Sequence, residues 1–214
     1  INEIANLCEK TNINIDDISI GMGLDQRIGG RFLRAGPAYG GSCFPKDTKA
    51  ITVTADAFKT NLSIIKSVIN SNKNRRMLLI KRINHILSNK IKNKKITILG
   101  VTFKPNTDDM RESTSLLMLP FLSKKGAKIK YYDPSGEKVE FSRLKNVFFS
   151  NDINEACFNA DLIIIHTEWD ELKTLDFKRI CKNKKLKIYD MRNLYSAEKM
   201  KKLGIKYYSI GRSN

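Results

Sequence analysis

The sequence predicts an α/β protein, with an all-helical first part over residues 1–92 and a doubly wound, parallel-sheet, Rossmann-like domain over residues 93–214. Three observations predict it. Apolar residues in the first part recur at helical spacing. From Lys95 onward, short apolar runs alternate with helix-period stretches, the pattern of repeated strand and helix. Among these runs Leu162–Ile165 is apolar throughout, as a strand covered on both faces requires.

Ile4, Leu7 and Cys8 share one face of an opening helix. Asn14–Met22 reads as a second, short helix with Asp16 and Asp17 in its first turn, where the helix dipole favours negative charge. A glycine-rich loop, Gly29–Gly41, follows, and Pro45 suits the first position of the next helix. Asn61–Asn89 fits one long helix whose apolar side carries Ile64, Ile65, Val68, Ile69, Met77, Leu78, Ile80, Ile83 and Leu87. Strands are expected at Lys95–Val101, Ala127–Tyr132, Val147–Phe149, Asp161–His166, Leu186–Asp190 and Lys206–Ile210. Helices are expected between them at Glu112–Lys124, Glu137–Leu144, Asn151–Asn159, Phe177–Lys182 and Ser196–Lys202, the first capped by Thr107 or Asp108. Pro120 is out of place in that first helix and should kink or shorten it.

Composition narrows the class. Hydrophobic residues make up 41% of the chain, enough for a core and too many for a disordered polymer. No apolar run is long enough to span a bilayer. With no basic-then-apolar leader, a cytoplasmic location is expected. The chain opens at Ile1 in what reads as mid-helix, as a piece of something longer would. Cys8, Cys43, Cys157 and Cys181 show no metal-ligand spacing, and His85 and His166 lie far apart, so reduced thiols and no metal site are expected. The net charge of +17 is spread over the length, with clusters at Lys90–Lys95 and Lys182–Lys187. That distribution reads as solvated lysine-rich faces, with no nucleic-acid or membrane partner, and with a smaller share available to attract a polyanionic small molecule.

The stretch from Gly36 to Lys49 carries the chemistry. Gly40 and Gly41 allow close backbone approach. Cys43 sits just before a helix start, where unpaired N–H groups favour an anion, and Lys46 adds positive charge, so each feature favours thiolate over thiol. Asp47 lies one turn further on, facing the same side. The loop alone leaves two readings open: an activated nucleophile, or a small core cysteine beside a tight turn.

The run LDQRIGGRFLRAGPAYGGSCFPKDTKA closely resembles the catalytic segment of UDP-glucose 6-dehydrogenases. GVTFKPNTDDMREST, Gly100–Thr114, resembles the nucleotide-sugar loop of the same family, and YDMRN, Tyr189–Asn193, its late arginine motif. With HTEW at His166–Trp169 the resemblance covers essentially the whole chain. It implies two successive hydride transfers from the sugar C6 to NAD, with Cys43 forming a thiohemiacetal and then a thioester, and Asp47 assisting proton movement. It implies sugar-nucleotide contacts from Phe32, Leu33, Arg34, Tyr39, Gly40, Gly41, Phe103, Lys104 and Arg192, with Arg27 reaching the neighbouring subunit's site in a homodimer formed through the helical part. Without the resemblance, Arg27 reads as a surface arginine. Lys46 and Arg111 are candidate cofactor contacts, and Arg111 with Glu112 also matches a pair of mainly structural role.

No GxGxxG follows a strand, so the Rossmann-like domain is not expected to hold NAD, which the family binds in a preceding domain. Lacking that domain and the family's upstream catalytic groups, the 214 residues are expected to be inactive alone. FPKDT and KPNTDD favour UDP-glucose over the alternatives, which are a GDP-mannose or UDP-N-acetyl-sugar 6-dehydrogenase and a non-catalytic sugar-nucleotide-binding or dimerisation module.

Overall fold

The computed structural model describes residues 1–180 and 186–213. Four helices come first: α1 (Asn2–Thr11), α2 (Ile15–Gly23), α3 (Cys43–Ala57) and α4 (Ser63–Ile86). The second part holds β1 (Lys95–Leu99), α5 (Ser115–Lys124), β2 (Lys128–Tyr132), β3 (Val147–Phe149), α6 (Ile153–Cys157), β4 (Leu162–Ile165), α7 (Phe177–Ile180), β5 (Lys187–Asp190), α8 (Ala197–Lys202) and β6 (Lys206–Ser209). Among the described residues, six strands form one parallel sheet in the order β3-β2-β1-β4-β5-β6. Strand order reverses between β1 and β4, and the crevice beyond the carboxyl ends at that point is where such sheets bind ligands.

The pleat sorts the core. Ile96 and Ile98 of β1, Ile129 and Tyr131 of β2, and Leu162 and Ile164 of β4 face one side, where they join Ala5, Cys8, Ile15, Leu79, Ile80 and Ile83 of the helical part. Leu99, Ile163, Ile165 and Ile188 face the other side and pack on Cys157, Leu172, Phe177 and Met200. One core therefore runs across residue 92, and α1, α2 and the second half of α4 cover a sheet face. The end of the chain closes this arrangement. The Ile15 amide donates to the Gly211 carbonyl at 2.8 Å, the Gly211 amide donates to Glu9 at 2.8 Å, and Arg212 pairs with Asp16. Gly211 has a φ of 66°, and a Cβ there would lie 2.5 Å from the Ile15 side chain.

Several elements differ from expectation. Glu137–Leu144 is not a helix; only a 3₁₀ turn forms at Val139–Phe141. Pro134 and Gly136, the latter at φ 89°, hold the chain in a turn, and the Lys138 amide donates to the Tyr131 hydroxyl instead of a helical carbonyl. α5 begins at Ser115 rather than Glu112, because Glu112 is left-handed at φ 55°. The residue before α5 is Thr114, so neither Thr107 nor Asp108 caps it. α5 runs through Pro120 to Lys124, so the proline does not end it. A 3₁₀ turn at Asp170–Thr174 was not expected. The end of the expected Phe177–Lys182 helix, Cys181 and most of the Lys182–Lys187 cluster lie outside the described residues.

Candidate active site

Three loops leave the carboxyl ends of neighbouring strands: 100–114 after β1, 166–169 after β4 and 190–195 after β5. Arg192 ties them together. Its Nε donates to the His166 carbonyl at 2.8 Å and lies 2.8 Å from Glu168, and its Nη2 donates to the Phe103 carbonyl at 3.2 Å. Burial pushes this guanidinium below its ordinary range, while Glu168 and Asp190 hold it up. Asp190 shapes the third loop by accepting from the amides of Arg192, Leu194 and Tyr195 and from the Tyr207 hydroxyl. His166 is fully enclosed, and burial, then the nearby Arg192, pushes its pKa down to about 3. It is neutral, with Nδ1 3.0 Å from the Thr167 hydroxyl.

The β1 turn does not fit a dinucleotide. Thr167 packs where a Gly100 Cβ would stand, 2.5 Å away, and the Asp133 carboxylate takes the Val101 and Thr102 amides at 2.7 and 3.4 Å. The first two N–H groups after the strand, which a dinucleotide-binding turn offers to its ligand, are thus bonded within the protein.

Cys43 is the first residue of α3 rather than the residue before it, and it is exposed, which removes the core-cysteine reading. Cys8 and Cys157 are buried. No side chain caps α3, and Ser42 Oγ lies 3.6 Å from the sulfur. Lys46 pairs with Asp47 at 2.5 Å in the same turn. Asp47 first, and the Cys43 sulfur to a smaller degree, hold the Lys46 ammonium above its ordinary range; Asp109 first, and again Cys43, do the same for Arg111. Two cations therefore lie within electrostatic reach of the thiol.

The loop before Cys43 rests on the 100–114 loop. The Gly41 amide donates to the Arg111 carbonyl at 2.8 Å. A Cβ on Gly40 would meet the Glu112 carbonyl oxygen at 2.7 Å, and one on Gly41, at φ 86°, would meet the Phe103 ring at 2.8 Å. The close approach these glycines permit is to the protein's own second motif. Lys104 Nζ stands 5.5 Å from the centre of the same Phe103 ring, exposed at the loop's tip.

Two open clefts border these loops, one at residues 192–194 and one at the joint. One, of 590 Å³, is lined by Leu33, Arg34, Arg192 and Asn193 together with Ser19 and Leu24 of the α2 region. The other, of 750 Å³, is lined by Gly41, Lys46, Lys49, Arg76, Arg111 and Leu117 among others, a basic wall over an apolar floor. Tyr39 stacks edge-on against Phe44 with ring centres 4.7 Å apart. Phe32 is 84% exposed. Arg27 is likewise exposed and is held by Asp25 at 2.6 Å. Among the described residues no group of His, Cys, Asp or Glu side chains is placed to hold a metal ion.

Sequence reasoning missed three residues of α4. Asn72 exchanges hydrogen bonds with the Tyr39 backbone at 2.9 and 3.0 Å. Arg75, 3% exposed, donates to the Gly36 carbonyl at 3.2 Å and to Asn6. Arg76 donates to the carbonyls of Tyr39 and Glu112 at 3.2 and 2.8 Å. A signal existed for Arg75: it stands four residues before Leu79, on the face that continues through Ile83 and Ile86.

A doubly wound sheet with ligand-facing loops at its switch point, beside an exposed thiol at a helix start, defines a nucleotide-fold α/β protein with a candidate thiol centre. Residues 1–74 match the central domain, and residues 97–197 the UDP binding domain, of the UDP-glucose/GDP-mannose dehydrogenase family. The chain belongs to that family. It is 42% identical over 213 residues to UDP-glucose 6-dehydrogenase of Rhizobium meliloti, covering 99% of this chain and 49% of the relative. The enzyme of that name from Rickettsia typhi is 44% identical over 214 residues, with 99% and 49% covered. The structure of a UDP-glucose dehydrogenase from Pyrobaculum islandicum superposes with a TM-score of 0.85 at 27% identity, covering 100% of this chain and 47% of that one. The chain thus spans about half the length of the relatives it matches.

Proposed function

We propose that the chain is the thiol-bearing and UDP-binding portion of an NAD-dependent, cytoplasmic UDP-glucose 6-dehydrogenase that yields UDP-glucuronate. The observation that carries this reading is the joint described above, in which the Cys43 loop rests through Gly40 and Gly41 on Phe103, Arg111 and Glu112. A thiol and a nucleotide-sugar loop sharing one support can act on the two ends of one ligand.

In this reading Lys104 and Arg192 hold the diphosphate and uridine side, with Leu33 and Arg34 along the 590 Å³ cleft and Phe32 exposed beside them in the chain. Tyr39, Gly40 and Gly41 line the sugar side. NAD, when bound, supplies the hydride acceptor for each oxidation. It is held mainly by residues outside this chain, a reading supported by the missing GxGxxG and by the Val101 and Thr102 amides bonded to Asp133, and Lys46 and Arg111 contact it from the basic cleft. The Cys43 sulfur adds to the C6 aldehyde to give a thiohemiacetal. Loss of hydride converts this to a thioester, and water cleaves the thioester to release the carboxylate and return the thiol. Asp47, one turn along α3, takes the proton from that water. The exposed apolar residues of the helical part, Ile20, Leu24, Phe32, Ile64 and Val68 among them, suit a homodimer through this half, with Arg27 facing the partner's sugar site.

The test is an assay of the protein carrying the upstream region, with NAD and a panel of sugar nucleotides. Two NADH per UDP-glucose, with UDP-glucuronate as product, is the expected result. Preference for GDP-mannose or a UDP-N-acetyl sugar overturns the substrate assignment. NADH production by the 214 residues alone overturns the expectation that they are inactive.

A further inference from the structure

Glu112 occupies a conformation that a glutamate adopts at a cost. Its φ of 55° lies in the left-handed region, where a residue with a Cβ is strained. The strain is maintained by contacts from three directions. Lys49 of α3 pairs with Oε1 at 2.9 Å. Arg76 of α4 pairs with Oε2 at 2.8 Å and, through Nη2, donates to the Glu112 carbonyl at 2.8 Å. That same carbonyl oxygen stands only 2.7 Å from where a Gly40 side chain would begin. Lys49 and Arg76, named in that order of effect, hold the Glu112 carboxyl below its usual range, as a carboxylate engaged at both oxygens should be.

These contacts join three segments. Glu112 belongs to the loop that carries Phe103 and Lys104; Lys49 lies in the helix that Cys43 begins; Arg76 also donates to the Tyr39 carbonyl in the segment that leads to Cys43. We propose that Glu112 is a positioning residue for the Cys43 thiol: its carboxylate clamps α3 and α4 to the 100–114 loop and sets the approach of residues 39–43 to that loop. The proposal rests on the functional reading above only for what the positioned thiol then does. The placement itself is a property of this chain.

A structural residue of no further consequence and a latch make different predictions at this position. Glu112→Gly removes the carboxylate and also relieves the left-handed strain, so global stability is largely preserved. Glu112→Gln keeps a carbonyl oxygen for one of the two cations. The experiment is peptide-resolved hydrogen exchange on the 214-residue chain, with carbamidomethylation of each cysteine followed by mass spectrometry. In Glu112→Gly the 39–44 segment is expected to exchange about three-fold or more faster, since partly exposed ion pairs of this kind contribute modestly each. Exchange in β1 and β4 stays unchanged, the alkylation rate of Cys43 changes while Cys8 and Cys157 stay slow, and Glu112→Gln falls between parent and glycine variant.

Equal exchange of residues 39–44 in parent and Glu112→Gly overturns the latch. So does acceleration in the strands as large as in the loop, which reduces Glu112 to a contributor to overall stability. Calorimetric titration with UDP is read separately. A parent chain that fails to bind UDP sinks the functional reading, while the exchange result alone decides the role of Glu112.

Discussion

Replacing Gly40 by alanine places one methyl group in the joint between the Cys43 loop and the 100–114 loop. The new Cβ stands 2.7 Å from the Glu112 carbonyl oxygen, 3.1 Å from its carbonyl carbon and 3.0 Å from the Phe103 Cβ. Two of these atoms are backbone, and that backbone is held by Arg76, so no flexible side chain can swing aside. The loops must separate by roughly half an ångström, and overpacking of this kind costs about 1–3 kcal/mol. For a chain of this size that lowers Tm by about 2–4 °C per kcal/mol. Gly21 supplies the contrast. It sits inside α2 with no atom within 4 Å of where a Cβ would stand, so alanine there should stabilise by about 0.5–1 kcal/mol through helix propensity. Thermal unfolding of the two variants, followed by circular dichroism, should therefore move in opposite directions, and only Gly40→Ala should alter Cys43 alkylation. A Gly40→Ala protein as stable as Gly21→Ala, with unaltered Cys43 reactivity, refutes the claim that the two motifs meet at this contact.

Three further outcomes follow from the site. His166 is held at about 3 against an unfolded value near 6.5, so below pH 6.5 the unfolded chain takes up a proton that the folded chain refuses. Its contribution is intact above pH 6.5 and declines by about 1.4 kcal/mol per unit below it; His166→Asn should flatten the urea-midpoint profile between pH 6.5 and 5, and parallel profiles would refute the assignment. Lys104→Ala and Arg192→Ala should each weaken UDP binding by about ten-fold or more in calorimetry, given the strength of charge-assisted bonds. Arg192→Ala should also lower Tm, because the guanidinium joins three loops, whereas Lys104→Ala should not; unchanged affinity in both removes them from the site. In the protein with its upstream region, Cys43→Ala should abolish formation of the acid while UDP-glucose still binds, and near-normal turnover would end the covalent mechanism.

The sheet was legible because a central strand, Leu162–Ile165, is apolar throughout and has few other places to go than between two layers, and the remaining strands alternate with helix-period stretches around it. The cysteine loop was legible because glycine, cysteine and proline occur there in a fixed order. What stayed hidden depends on contacts between distant segments. Nothing local marks Glu112 as left-handed; Lys49 and Arg76, 63 and 36 positions away, keep it so. Pro134 and Gly136 are plain in the sequence, yet the helix-period spacing over Glu137–Leu144 is the louder local signal, and the Tyr131 hydroxyl that claims the Lys138 amide comes from β2. Arg76 reads as an ordinary helix-surface charge until the Tyr39 carbonyl is seen above it.

The contact between Gly211 and the first two helices has a consequence for how the chain is made. Ala5 and Ile15, buried near the start, have part of their cover from a residue about two hundred positions later. While the chain grows from its amino terminus, the Ile15 amide and the Gly211-facing oxygen of Glu9 have no native partner until β6 has emerged. Contacts of such long sequence separation form slowly, and unfinished surface is exposed in the interval. A chain stopped at Ile210 would have every strand of its sheet and still leave its first helices without their closing contacts.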